Sequence, residues 1–484
     1  MSKVRNAILY SSISHYVLKI VGFASVIIFA RLLTPDELGI FAIASSISLV
    51  AGELRLLGTT NFLVREKELT EEKVRSGIGL TLLVSWPLGF SMILFAEKAA
   101  QFYSLPSLRD IFIILSIAYF LAPFTGVMSA LLSRSFNYAQ LTAAKFISSM
   151  VSFLVSLILV LMEYSYYGLA IGNISGVFCQ LVVLIFCKPP SMFWLPSFKG
   201  IRKIIRFGLF SSITNLLQRF DATLSDIVIG KLGTAANVAI FSRGTGFTLF
   251  ISQFLILGIR PVALPYLSQV NRDGSDVKKA YIKATLLLGA TCWPTLFVGG
   301  IASYPAILLL FGEQWIESVP VAKIVVIWSV LRVIHTLSPS LLMAVGREGI
   351  MLLKQIAVFV TMLVGMLIGF PYGLEGVAWG LVAASIVDFL FASWTVKKAT
   401  GLGLIEFVFA MRLNVALTLV CCLVAWGIDR IVDFEKFNPV YSFLLLAVIM
   451  PAVWLATVIV FNHPIKTELF KLLQPLKKKL KLGF

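Results

Sequence analysis

The chain has 484 residues, of which 58% are hydrophobic and only 13% charged, with a mean hydropathy of +0.93 and a formal net charge of +17. Such a composition lies outside the range of soluble domains and excludes a water-soluble enzyme or binding module. Five cysteines without a CxxC or Cys/His grouping, and three histidines, indicate neither a disulfide framework nor a zinc site.

Nearly all of the length is taken up by apolar runs of roughly 20 residues, each long enough to span a bilayer. Fourteen are expected, near 7–30, 38–57, 77–96, 110–132, 141–162, 166–187, 204–229, 237–262, 280–303, 320–344, 350–369, 374–394, 410–428 and 440–461. The expected fold class is therefore an all-α polytopic membrane protein. The first run follows the short start Met1 to Asn6 and lacks a small-residue cleavage pattern, so it reads as a retained span and not a signal peptide.

That first span carries Ser12, His15 and Lys19 at steps of three and four, which places them on one helical face. The second has Glu53 and Arg55 near its inner end, below Ser45, Ser46 and Ser48; two residues apart, the charges do not share a face well, and interfacial snorkelling accounts for at least one of them. After it comes the mixed-charge loop Arg65 to Arg75, and after the sixth span the basic stretch Lys188 to Arg206. The seventh span repeats the polar stripe with Ser212, Asn215, Arg219, Thr223 and Asp226, and also holds Asp221. In the eighth, Arg243 lies near the outer end and Arg260 near the inner end, just before Pro261 and Pro265, where a kink is expected. The tenth brings Lys323, Arg332 and His335 before Pro339, with Arg332 and His335 on one face; His335 reads either as a titrating coupling group or, more simply, as a hydrogen-bonded packing residue. Asp388 falls in the twelfth span. The tail Lys466 to Lys481 reads either as an amphipathic helix on anionic headgroups or as an ordinary basic stop.

Residues 9–42 return at 209–242 without a gap. Leu9-Tyr-Ser-Ser-Ile-Ser14 becomes Leu209-Phe-Ser-Ser-Ile-Thr214, Lys19 falls on Arg219, Arg31 on Lys231, and Ile40-Phe41 on Ile240-Phe241. The offset spans six helices, so the halves are parallel repeats, as in transporters with a site between two lobes. The expected organisation is an N-terminal lobe 1–187, a basic linker 188–206, a second lobe 207–400, two further helices within 401–461 and a basic tail 462–484. Cations favour the loops on one side by roughly four to one, so both termini are expected in the cytoplasm, and topology rather than nucleic acid explains the net charge.

A charge at mid-span costs about 2.5 to 3.5 kcal/mol on insertion scales, so each needs a partner, a wet cavity or a task. Across a pseudo-two-fold axis Lys19 and Arg219 could approach from opposite walls, an arrangement suited to a diphosphate or an acidic sugar. Alternatively Arg219 pairs with Asp226 or Asp221 and merely holds its lobe together. Without a G-x-x-x-x-G-K-[ST] loop the chain is not a self-contained ATP-driven pump, and its short outer loops offer no triad or metal-assisted active site, so no enzyme and no cofactor are expected.

The loop Arg31-Leu-Leu-Thr-Pro-Asp-Glu-Leu-Gly39 with Ile40-Phe-Ala-Ile-Ala44 resembles the start of the Wzx-type oligosaccharide flippases of the multidrug/oligosaccharidyl-lipid/polysaccharide superfamily, and is similar in particular to the colanic-acid and teichuronic-acid exporter branch. Arg65-Glu66-Lys67, Leu264-Pro-Tyr-Leu-Ser268 and the fourteen-helix plan add to the likeness. The resemblance implies a bacterial inner-membrane protein that moves an undecaprenyl-diphosphate-linked repeat unit through a cavity lined by the first, second, seventh and eighth spans. Set beside this chain's own charge pattern, it makes Lys19, Arg219, Arg260, His15, Asn215, Arg55 and Arg332 candidates for the anionic head. Asp226, Asp221, Glu53 and His335 are candidates for charge balance or for proton or sodium coupling. Expected partners are the lipid-linked glycan, anionic lipids and the polysaccharide polymerase and chain-length machinery. Two other readings are a cation-coupled multidrug-type exporter and a non-transporting scaffold of a synthesis complex.

Overall fold

A computed structural model describes residues 2–55, 58–187, 192–256, 259–347 and 349–471, and among these all side chains except those of 2–15, 207, 209–211, 214 and 260–261. Every regular element among them is helical. The chain divides into two compact units, Met1–Ser242 and Arg243–Phe484.

The first unit contains α1 (Ser2–Leu32), α2 (Pro35–Leu54), α3 (Thr59–Arg65), α4 (Glu71–Tyr103), α5 (Leu108–Arg134), α6 (Tyr138–Leu161), α7 (Ser165–Phe186) and α8 (Ile201–Leu232), and ends inside α9 (Ala235–Ile256). The second continues with α10 (Arg260–Arg272), α11 (Val277–Ile301), α12 (Ser303–Leu310), α13 (Ser318–Ile334), α14 (Ser338–Ala344), α15 (Gly349–Gly369), α16 (Gly373–Thr400), α17 (Leu404–Ala410), α18 (Arg412–Val432) and α19 (Pro439–Val460). A helix thus stands over each expected apolar run. Eleven helical segments among the described residues are long and apolar enough to cross a bilayer, and one of them, Gly349–Thr400, contains both α15 and α16. α1 and α8, the repeat helices, are not among the eleven; α8 carries Arg219, Asp221 and Asp226 in its middle.

The Thr34-Pro-Asp-Glu motif has a local task. Thr34 caps α2 by accepting from the Glu37 amide, Glu37 accepts from the Thr34 amide at 2.8 Å, and Pro35 supplies the fixed φ of a first helical turn. Asp36 accepts the Ala236 amide of α9 at 3.2 Å, and a Cβ on Gly39 would lie 1.8 Å from the Ala235 carbonyl oxygen. The motif therefore docks the start of α2 on the start of α9, its repeat equivalent.

The expected eighth span is two helices, α9 and α10, with Pro261 in the first turn of α10, where its missing N–H costs nothing. The helix of the second span, α2, ends at Leu54, and the short helix α3 follows beyond the expected span. Pro339 similarly opens α14 after α13 has ended. Of the linker, residues 192–200 lie along the start of α4: the Ser197 amide donates to the Arg75 carbonyl at 2.9 Å, Arg75 Nε to the Leu195 carbonyl at 3.1 Å, and Ser76 to the Lys199 carbonyl. Most of the basic tail lies outside the described residues.

Candidate functional site

α2 and α8 run antiparallel, and their polar residues meet as rungs. Ser46 donates to Asp226 Oδ2 at 2.6 Å, and seven residues along each helix Arg219 donates to Glu53. Seven residues is two helical turns, about 10.5 Å, so both rungs lie on the same faces. Close backbone approach holds the register: a Cβ on Gly230 would meet Ile43 at 2.8 Å, and one on Gly58 would meet Gly208 at 2.2 Å. Gly58 has φ +68, the left-handed region that glycine enters without strain, and it turns the chain from α2 into α3.

At the Glu53 rung one carboxylate oxygen takes both Arg219 donors, Nε at 3.0 Å and Nη2 at 2.7 Å. Glu53 and Arg219 are 22% and 39% exposed. Arg55 joins them from the C-cap of α2, its guanidinium carbon 5.8 Å from the Tyr119 ring centre and within electrostatic reach of Glu53 and Arg219. Tyr119 in turn donates to the Ser48 carbonyl. Arg55 keeps helical dihedrals, φ −60 and ψ −28, so it leaves the helix on a different face from Glu53 and comes within reach through its long side chain. At the other rung, Ser242 donates to Asp226 Oδ1 at 2.6 Å, so serine hydroxyls from α2 and α9 bond both carboxylate oxygens.

Of the other candidates in this unit, Lys19 is half-buried on α1, Asn215 is exposed and Asp221 is buried on α8. The side chains of His15 and Arg260 lie outside the described residues. In the second unit Arg332 is half-buried with its guanidinium carbon 4.8 Å from the Trp328 ring centre. His335 is buried and bonded at both nitrogens, to Tyr281 at 2.9 Å and to Ser393 at 2.9 Å, while Ser393 donates to the Phe389 carbonyl. This is the hydrogen-bonded packing residue of the simpler reading. Asp388 pairs with Lys354 at 2.9 Å, each 17% exposed.

The Glu53–Arg219 pair was not anticipated, since sequence weighed Asp226 and Asp221 as the partners of Arg219. The signal was nonetheless present: Ser46 and Glu53 are seven apart, as are Arg219 and Asp226, and antiparallel helices with matched spacings can pair twice.

Helical runs of bilayer length and a seam of paired charges within them define a multi-pass α-helical membrane protein. The sequence model of the family described as polysaccharide biosynthesis protein matches residues 28–320, more than half of the chain, and the chain belongs to that family. The resemblance read from Arg31 to Ala44 holds. The chain is similar to the teichuronic acid biosynthesis protein TuaB of Bacillus subtilis, 22% identical over 445 residues, covering 87% of this chain and 88% of the relative. It is also similar to the lipopolysaccharide biosynthesis protein WzxC of Escherichia coli, 19% identical, covering 87% and 86%. Among solved structures, the lipid II flippase MurJ in an inward closed conformation shares the fold, with a TM-score of 0.74, 15% identity and coverage of 95% and 99%.

Proposed function

We propose that the chain is a flippase that carries a polyprenyl-diphosphate-linked oligosaccharide across the bacterial inner membrane by alternating access, for the assembly of a surface polysaccharide. The observation that carries this reading is the pair of guanidinium groups, Arg219 and Arg55, set near one another on the α2–α8 seam of bilayer-length helices, with Glu53 ion-paired to Arg219. A guanidinium fork binds phosphate oxygens in pairs, and excess positive charge within a membrane helix calls for an anionic guest. Family membership and the names of the relatives support a polysaccharide-linked guest, and the MurJ fold supports a lipid-linked one.

In this reading Arg219 and Arg55 hold the diphosphate, and Lys19, Arg260 and Arg332 are further cations for the anionic head, with Asn215 and His15 contributing polar contacts. The polyprenyl tail stays in lipid, which avoids exposing its large apolar surface to water. Asp226, Asp221 and Glu53 balance these cations between substrates and are the carboxylates available to a proton or sodium ion. His335, already bonded at both nitrogens, is the least available coupling group. Anionic lipids and the polymerase and chain-length machinery are the proposed partners on the two faces of the membrane.

The test is flipping of a fluorescent polyprenyl-diphosphate oligosaccharide in proteoliposomes, followed by its accessibility to an external glycosidase. Wild type is expected to flip, and Arg219→Ala to lose at least about tenfold in rate at matched reconstitution. An unaffected Arg219→Ala removes the diphosphate role of the seam. A wild type inactive with several glycans, with and without ion gradients, favours a small-molecule exporter or a scaffold.

A further inference from the structure

We infer that Glu53 is a built-in competitor for the anion site on Arg219 and so sets the release of the diphosphate after translocation; the inference rests on the flippase reading above. Glu53 occupies the two donors, Nε and Nη2, that form one edge of the guanidinium fork, and it does so through one oxygen. Those parallel donors are the ones a phosphate oxygen pair would take. Carboxylate and diphosphate cannot both hold that edge.

The pair is built to exchange. Arg219 is 39% exposed and Glu53 22%, so the contact is open to an arriving anion, and parting the two does not strand a fully buried charge. The other rung of the seam is different in kind, because hydroxyl donors from two helices fix both oxygens of Asp226. The pairing at Glu53 is also incomplete. Arg55 stands within electrostatic reach of Glu53, and its Nε is buried with no hydrogen-bond partner among the described residues. Two guanidinium groups within reach of one carboxylate leave a surplus positive charge that a doubly charged diphosphate offsets better than Glu53 does.

The consequence for turnover follows from charge. With substrate bound, Glu53 is displaced and stands beside a diphosphate that repels it. As the head begins to leave, Glu53 returns to Arg219 and supplies the counter-charge that would otherwise have to come from the departing anion. A site without Glu53 presents uncompensated cations in a half-buried seam; it binds the diphosphate more tightly and gives it up more slowly. Glu53 is thus a positioning residue for release, and its signature is a split between affinity and turnover.

The experiment uses the purified full chain with farnesyl diphosphate as the binding probe, measured by calorimetry in detergent, and the proteoliposome assay for flipping. Wild type, Glu53→Gln, Glu53→Asp and Arg219→Ala are compared at matched melting temperature and monodispersity. Glu53→Gln is expected to bind the probe about tenfold more tightly than wild type and to flip more slowly at saturating substrate. Glu53→Asp keeps the charge but shortens its reach, so its affinity falls between the two; it carries the test if the glutamine variant does not fold. Glu53→Gln binding no more tightly than wild type, while Arg219→Ala still abolishes binding, overturns the competitor role and leaves the flippase reading standing. No binding and no flipping by wild type overturns both.

Discussion

His463 ties three helices together through hydrogen bonds that require a neutral imidazole. Its Nδ1 accepts the Ile465 amide at 3.2 Å, so its proton sits on Nε2, which donates to Asn414 Oδ1 on α18 at 2.9 Å; Asn414 in turn donates to the Leu286 carbonyl of α11 at 3.1 Å. The ring is 1% exposed, lies beyond the end of α19, and burial lowers its pKa from the ordinary value. A histidine whose folded pKa is lowered contributes stability that is complete above the unfolded value of about 6.5 and is lost as pH falls below it, because the unfolded chain takes up a proton that the folded chain refuses. The melting temperature of the detergent-purified chain is therefore expected to be flat from about pH 8 to 6.5 and to decline below that. His463→Gln should melt lower at pH 8 and show a shallower decline; an unchanged decline would place the titrating group elsewhere. Nothing in the sequence marked His463, since its role depends on Asn414, 49 positions away. Arg134 was hidden in the same manner. It donates to the carbonyls of Leu63, Val64, Glu66 and Lys67 and closes the C-terminus of α3.

Between elements, the packing of α15 on α16 depends on four glycines. Gly365 and Gly369 face Gly380 and Gly376, and a Cβ on Gly380 would lie 2.2 Å from the Gly365 carbonyl oxygen. These are two small-xxx-small motifs in antiparallel register, a device that membrane helices use because lipid gives them no hydrophobic reason to associate. α6 and α7, the corresponding hairpin of the first unit, use Gly172 and Gly176 against Ser148, Ser152 and Ser156, with Ser148 donating to the Gly176 carbonyl at 2.7 Å. Gly380→Ala is expected to destabilise the chain by about 2 kcal/mol through forced separation of the hairpin, read as a lower melting temperature in detergent. Gly427→Ala is the control: a Cβ there meets nothing within 4 Å, and alanine is the better helix former by about 1 kcal/mol. Equal effects at the two positions would mean that backbone propensity, not the close approach, sets the cost. The helices themselves were legible because an apolar run of bilayer length leaves few alternatives. Their breaks after Leu54 and Ile256 were less so: Gly58 and Pro261 mark the places, but whether a helix bends or stops depends on what packs beside it.

At the scale of the whole molecule, the repeat is both the clearest sequence signal and the one whose meaning needed coordinates. It set Lys19 in register with Arg219 and Thr34 with Thr234, and these two threonines cap the starts of α2 and α9. It did not reveal that the charged face of α8 is engaged by α2, because self-similarity relates equivalent helices and says nothing about which unlike helices pack together. The repeat and the loop charges together predict an orientation that can be tested. Arg272, Lys278, Lys279 and Lys283 cluster at the turn between α10 and α11, whereas the turn between α18 and α19 holds Lys436 beside Asp433 and Glu435. A cluster of four cations near a span end is strongly retained on the cytoplasmic side, while a balanced turn is free to cross. With Cys179, Cys187, Cys292, Cys421 and Cys422 replaced, single cysteines at two exposed positions would report the sides. In intact spheroplasts a membrane-impermeant maleimide is expected to label Glu435→Cys and to spare Ser275→Cys until the cells are opened. The reverse pattern would turn the molecule over, and with it the side from which a lipid-linked substrate first meets Arg219.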